Sequence, residues 1–171
     1  MAIEAPVSKF RKTNIKIYIG ALVLAAVVFG YDGYLSKYKW SMRYSFYQKH
    51  VLDNDGKPTS TMLFNRKSPF FFFGAAVLLA IHLFLLSNKK IVAEQNELIL
   101  GANQKIPYDA IEKIDKTHFE SRGFFVLTYK IPPAASRLRS KPAGAQIDRK
   151  LSDRDYDNLK AILEHLVAKI S

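Results

Sequence analysis

Apolar side chains are distributed unevenly along this chain. Two long, nearly uncharged runs occupy the first half, and short alternating stretches follow. The second run, residues 70–86, reads FFFFGAAVLLAIHLFLL, with Arg66 and Lys67 before it and Lys89 and Lys90 after it. At 1.5 Å rise per residue it nearly crosses a hydrocarbon layer about 30 Å thick. Lipid cannot hydrogen-bond the backbone, so such a run must be helical. Pro69 suits a first helical turn, where its missing N–H matters little. A membrane helix over 69–87 is therefore predicted. The first run, IKIYIGALVLAAVVFGYDGYL, predicts another over 15–35. Lys16 would snorkel at one end, and Tyr31 and Tyr34 would sit at the other interface. Gly20, Ala21, Ala25 and Ala26 give the first helix a small-residue face; Ala75, Ala76 and Ala80 do the same for the second. Small faces allow close approach, which predicts an antiparallel helical hairpin.

Residues 1–13 are polar and are expected to be loose or to lie on the membrane surface, as part of a retained anchor and not a cleaved signal. The connector, 36–67, mixes Tyr38, Trp40, Tyr44, Phe46 and Tyr47 with Lys37, Lys39, Arg43 and Lys49. Two readings stand. Leu35, Tyr38, Met42 and Phe46 have helical spacing, as in an interfacial helix extending the first span. Trp40, Met42, Tyr44 and Phe46 alternate as in a strand, with Asp53-Asn54-Asp55-Gly56 as a turn and 59–64 as a returning strand.

From residue 89 the period changes. Short strands are predicted over 91–93, 97–100 and 105–108, then a helical turn at 109–112 capped by Asp109. Strands over 114–119 and 124–129 flank Ser121-Arg122-Gly123, a hairpin signal, with Phe125, Leu127 and Tyr129 on one face. Residues 131–144 read as a long exposed loop, and 146–151 as the last strand. Leu159, Ile162, Leu163, Leu166, Val167 and Ile170 form one apolar stripe of a final helix, capped at Ser152 or Asp153.

Charge sharpens this division. The net charge of +11 is concentrated in residues 1–90, where 13 Lys and Arg face 4 Asp and Glu; residues 91–171 carry 13 against 11. The excess flanks the apolar runs, which suits anionic lipid headgroups. Nucleic-acid binding would want it on the folded domain and is not expected. There are no cysteines, which removes disulfides and thiolate chemistry.

The C-terminal part resembles the bacterial pleckstrin-homology-like domain found beside paired membrane helices. The matching pieces are KKIVA (89–93), ELIL (97–100), KIPYDAIEKI (105–114), the 121–123 turn before 124–129, and the capped final helix; the Ile-Pro-Tyr-x-x-Ile piece is the most specific. The resemblance implies a bent antiparallel sheet or partial barrel closed by the helix. It implies no enzyme activity, and binding of lipids, peptides or other subunits. The expected fold is thus a membrane α-helical hairpin (14–88) with a small α+β soluble domain (89–171).

Individual residues add little chemistry. No Ser-His-Asp order, paired carboxylates or phosphate-cradling glycine loop stands out, so no catalytic residue is assigned. His82 lies inside the second apolar run, where ionisable groups are scarce. It is the one candidate cofactor ligand, for a haem iron or a chlorophyll magnesium, against an interhelical hydrogen bond. His50, His118 and His165 sit in unrelated contexts, and no metal site is expected. Asp32 is expected at the water interface, paired with Lys37 or Lys39. Trp40, Arg43, Arg137, Arg139 and Lys141 are the candidate lipid- or partner-binding residues. The expected role is a non-catalytic accessory subunit or scaffold of a larger membrane complex, its partners being lipids and other membrane subunits. A lipid- or signal-sensing module and a pigment- or haem-binding subunit are the alternatives. The expected location is a bacterial inner membrane with both termini cytoplasmic.

Overall fold

The computed structural model describes residues 2–101, 104–131 and 144–170. The elements run β1 (Ile3–Pro6), α1 (Lys9–Gly30), a π-helical turn (Tyr31–Leu35), α2 (Tyr44–His50), α3 (Ser60–Ser87), β2 (Lys90–Ala93), β3 (Glu97–Leu100) and β4 (Gln104–Pro107). A 3-10 turn (Tyr108–Ala110) leads to β5 (Ile111–Asp115), α4 (Phe119–Arg122), β6 (Phe124–Lys130), β7 (Gln146–Ser152) and α5 (Leu159–Ile170). The chain divides into two compact units: residues 1–13 with 85–171, and residues 14–84.

The first unit holds two antiparallel sheets, ordered β1-β2-β3-β4 and β5-β6-β7. Alternation along β3 and β6 sends Leu98, Leu100, Phe125, Leu127 and Tyr129 inward. They meet Ala5, Ile91, Ile106 and Leu151 from the other strands and Leu159, Ile162, Leu163 and Leu166 from α5 in one apolar core. Gly123 closes the single turn of α4 at φ +68°, a conformation that glycine adopts without strain. A β-carbon there would stand 2.1 Å from Asp153 Oδ2.

Several expectations for this unit are corrected. Residues 3–6 are not loose. They pair with 90–93 as an edge strand, and Ala5 and Val7 are buried. Polar spacing hid the strand because only alternate residues face the core. The final helix begins at Leu159, not at Ser152, which ends β7. Two acids that precede it, Asp155 and Asp157, bond to α1. Asp157 Oδ2 accepts the Lys9 N–H at 3.1 Å, and Asp155 pairs with Arg11 at 2.8 Å. Ser8 caps α1 by accepting the Arg11 N–H at 3.1 Å. The turn after β4 is a 3-10 turn without a side-chain cap from Asp109, and Ile111 already lies in β5. The expected 121–123 hairpin turn is the end of α4, so the strand before it stops at Asp115. Most of the expected 131–144 loop lies outside the described residues.

The second unit contains most of the two apolar helices. Both are long and apolar enough to cross a membrane: Lys9–Leu35 counted through the π turn, and Ser60–Ser87. Their touching faces include Phe29, whose ring lies 5.5 Å from those of Phe64 and Phe72. Ala25, Ala26 and Ala75 are half-buried and Ala76 is buried, as expected. Gly20, Ala21 and Ala80 are exposed, so the small-residue seam is shorter than expected.

The connector is neither a continuous interfacial helix nor a strand hairpin. α2 has seven residues, and the expected return strand at 59–64 is the start of α3. The physical reason is Thr59. Its Oγ1 meets His50 Nδ1 at 3.0 Å and the Met62 N–H at 3.5 Å, which starts the helix there. Pro69 therefore lies inside α3, not at its first turn.

Candidate functional site

A proline inside a helix leaves the carbonyl four residues earlier without its donor. Here that carbonyl belongs to Asn65. Opposite it, the chain leaves α1 through a π-helical turn, an irregularity common at functional sites. The two irregularities face each other. Gly33 lies so close to Asn65 that a β-carbon on it would be 2.6 Å from the Asn65 oxygen. Tyr34 donates its hydroxyl to the Arg66 carbonyl at 2.8 Å, and Arg66 Nε donates to the Gly33 carbonyl at 3.2 Å. Two side chains thus tie the backbones of the two segments together beside the Pro69 break.

A buried polar group surrounds this contact: Asp32, Ser36, Ser41, Asn65 and Ser68. Ser36 donates to the Asp32 carbonyl, and Ser41 donates to the Tyr31 hydroxyl at 3.0 Å. The Ser68 hydroxyl is buried without a hydrogen-bond partner. The expected pairing of Asp32 with Lys37 or Lys39 is corrected: Asp32 accepts from both Nε and Nη2 of Arg43, at 2.8 and 2.9 Å. A guanidinium fork matches a carboxylate in a way an ammonium cannot, which decides the partner. These hydrogen bonds, with the carboxylate charge, push the Arg43 pKa further above its ordinary value, so it stays cationic. Arg43 also lies 5.1 Å from the Phe46 ring centroid.

Trp40 stacks on Tyr38 at 5.6 Å and is 70% exposed. Trp40 and Arg43 thus share the segment that follows the π turn. His82 is exposed on α3, and its side chain makes no hydrogen bond, ion pair or ring contact among the described residues. Arg137, Arg139 and Lys141 lie outside the described residues. The other histidines are separate: His50 beside Thr59, His118 beside the Phe124 ring, and His165 with Nε2 3.2 Å from the Glu94 carbonyl oxygen. Among the described residues no three His, Asp or Glu side chains could hold a metal ion. The polar group at Asn65 and Ser68 was missed in the sequence. The available signal was the helical spacing Met62, Asn65, Ser68, Phe72, which puts the two polar residues on the same face as the two apolar ones.

On the sheet unit, a hollow of about 340 Å³ lies between α4 and α5. Phe119, Leu163 and Val167 provide apolar surface, and Lys116, Glu120, Lys160 and Glu164 provide charges of both signs. Tyr108 donates to the Glu94 carbonyl at 2.6 Å. Burial, then the charges of Glu94 and Glu97, pushes its phenol above the ordinary value.

Comparison with known proteins gave no match among family models, curated proteins or solved structures.

Proposed function

We propose that this chain is a non-catalytic integral membrane protein in which the α1–α3 hairpin carries a pleckstrin-homology-like module that docks a partner within a larger membrane complex. The observation that carries the reading is the outer surface of the two helices. Phe70, Phe71, Leu78 and Phe84 are 69–75% exposed, as part of a far larger exposed apolar set. Water-soluble monomers rarely leave such surface uncovered, whereas hydrocarbon covers it without cost. The four-plus-three antiparallel strands with a terminal helix support the module assignment. The mixed-charge hollow between α4 and α5 supports docking of a peptide or subunit. β1 precedes the hairpin and β2 follows it, and the two strands are neighbours. Both ends of a spanning hairpin then lie on one side, which we assign to the bacterial cytoplasm.

The test is fractionation of native membranes. The protein should stay in the pellet through an alkaline carbonate wash and should leave it in detergent as a species well above 19.5 kDa. Release by carbonate alone refutes insertion. A lone chain in detergent, with no co-purifying protein, refutes docking.

A further inference from the structure

The last turn of α1 and the segment after the π turn border a shallow, open cleft of about 480 Å³, lined by Val27, Val28, Tyr31, Asp32, Met42 and Arg43. Its two ends differ chemically. Val27, Val28 and Met42 are more than half exposed and form an apolar wall. At the other end Arg43 spends Nε and Nη2 on Asp32, and its Nη1 group has no protein partner among the described residues. Its side chain is 51% exposed. Asp32 and the Phe46 ring fix the guanidinium before any ligand arrives, so little freedom is lost on binding. The free edge presents N–H donors in the geometry that phosphate oxygens accept.

We propose that this cleft binds one anionic glycerophospholipid, with an acyl chain along Val27 and Val28 and the headgroup phosphate on the Nη1 edge of Arg43. The proposal rests on the membrane reading above. A free phosphate would use Arg43 but leave the apolar wall wet. A partner helix would cover the wall, and it would satisfy Nη1 only with a carboxylate placed at that height. The choice of an anionic lipid over a zwitterionic one follows from the surrounding charge. Residues 36–67 hold seven Lys and Arg against only Asp53 and Asp55. Such an excess attracts anionic headgroups.

The full chain in non-ionic detergent is titrated with phosphatidylglycerol or phosphatidylcholine, and bound lipid is counted by native mass spectrometry. One phosphatidylglycerol is expected, held at least tenfold tighter than phosphatidylcholine. Val28→Trp fills the cleft without changing any charge and should weaken binding at least tenfold. Lys57→Gln, outside the cleft, should change it less than twofold. Arg43→Gln alone leaves Asp32 buried and unpaired, so the paired variant Asp32→Asn/Arg43→Gln is the cleaner probe. It should keep the Trp40 emission of the folded protein and lose the lipid preference. Equal binding by wild type and Val28→Trp overturns the proposal, as does equal affinity for the two lipids or displacement by millimolar inorganic phosphate. A chain that stays dissolved without detergent overturns the membrane reading itself. A chain that needs detergent but shows no cleft dependence overturns only the site.

Discussion

Replacing Gly33 by Ala is the sharpest test of how the two apolar helices are joined. The added methyl would stand 2.6 Å from the Asn65 oxygen, 2.8 Å from its carbon and 2.9 Å from the Arg66 nitrogen. These are backbone atoms, which cannot swing aside. Ordinary contact begins at 3.4 Å, so the two segments must part by about 0.8 Å. That displacement carries the Tyr34–Arg66 bond, now 2.8 Å, and the Arg66–Gly33 bond, now 3.2 Å, beyond useful length. Overpacking of this kind costs about 1–3 kcal/mol, and each lost hydrogen bond about 0.5–1.5 kcal/mol. The expected loss is therefore about 2–6 kcal/mol. Trp40 is the sole tryptophan and lies in the segment after the π turn, so its fluorescence reports this unit directly. Unfolding of the purified chain by SDS in mixed micelles, followed at Trp40, measures the loss. Gly20→Ala and Gly74→Ala are the controls, since a β-carbon at either meets nothing within 4 Å. If Gly33→Ala unfolds within about 0.5 kcal/mol of these controls, the close backbone contact is not what holds the helices together.

Two further outcomes are expected. Residues 85–171 produced alone lack β1, with its buried Ala5 and the buried Val7 beyond it. They should give no cooperative melt by circular dichroism, whereas the same piece joined to residues 2–13 by a glycine-serine linker should melt cooperatively; equal melting would show that β1 contributes nothing. Tyr108 should make the sheet unit sensitive to alkali. Its phenol is raised in the folded state, so its contribution is fully present below the ordinary tyrosine value near 10 and is lost as pH rises through the higher folded value. Tyr108→Phe gives up a hydrogen bond and should be less stable than wild type by about 0.5–1.5 kcal/mol at pH 8. That gap should narrow above pH 10 in denaturant titrations, and a constant gap would refute the assignment.

The parts of this fold that were legible in the sequence are those where one signal dominated. The two apolar runs, the alternation of 97–100 and 124–129, and the stripe from Leu159 to Ile170 each had a clear period. The misreadings share another cause: long-range partners overrode local chemistry. Ser152 looks like the cap of the following helix, yet it ends β7, and the acids after it, Asp155 and Asp157, have Arg11 and Lys9 as partners. Pro69 looks like a helix start, yet Thr59 supplies the cap and the helix runs through. Asp32 lies closer in sequence to Lys37 and Lys39 than to Arg43, but only a guanidinium bridges it bidentately. Gly33 carried no signal, because the need for a bare α-carbon comes from Asn65 across the pair.

The pairing of residues 3–6 with 90–93 also sets a timetable for biosynthesis. β1 leaves the ribosome before the hairpin, and its neighbour is made only after the whole hairpin. At roughly 5–20 residues per second, that strand waits several seconds unpaired. The nascent sheet cannot close until both apolar helices have been delivered. For the same reason a protease cutting on either side of the hairpin cannot shed an intact domain, because one strand of its sheet stays with the other fragment.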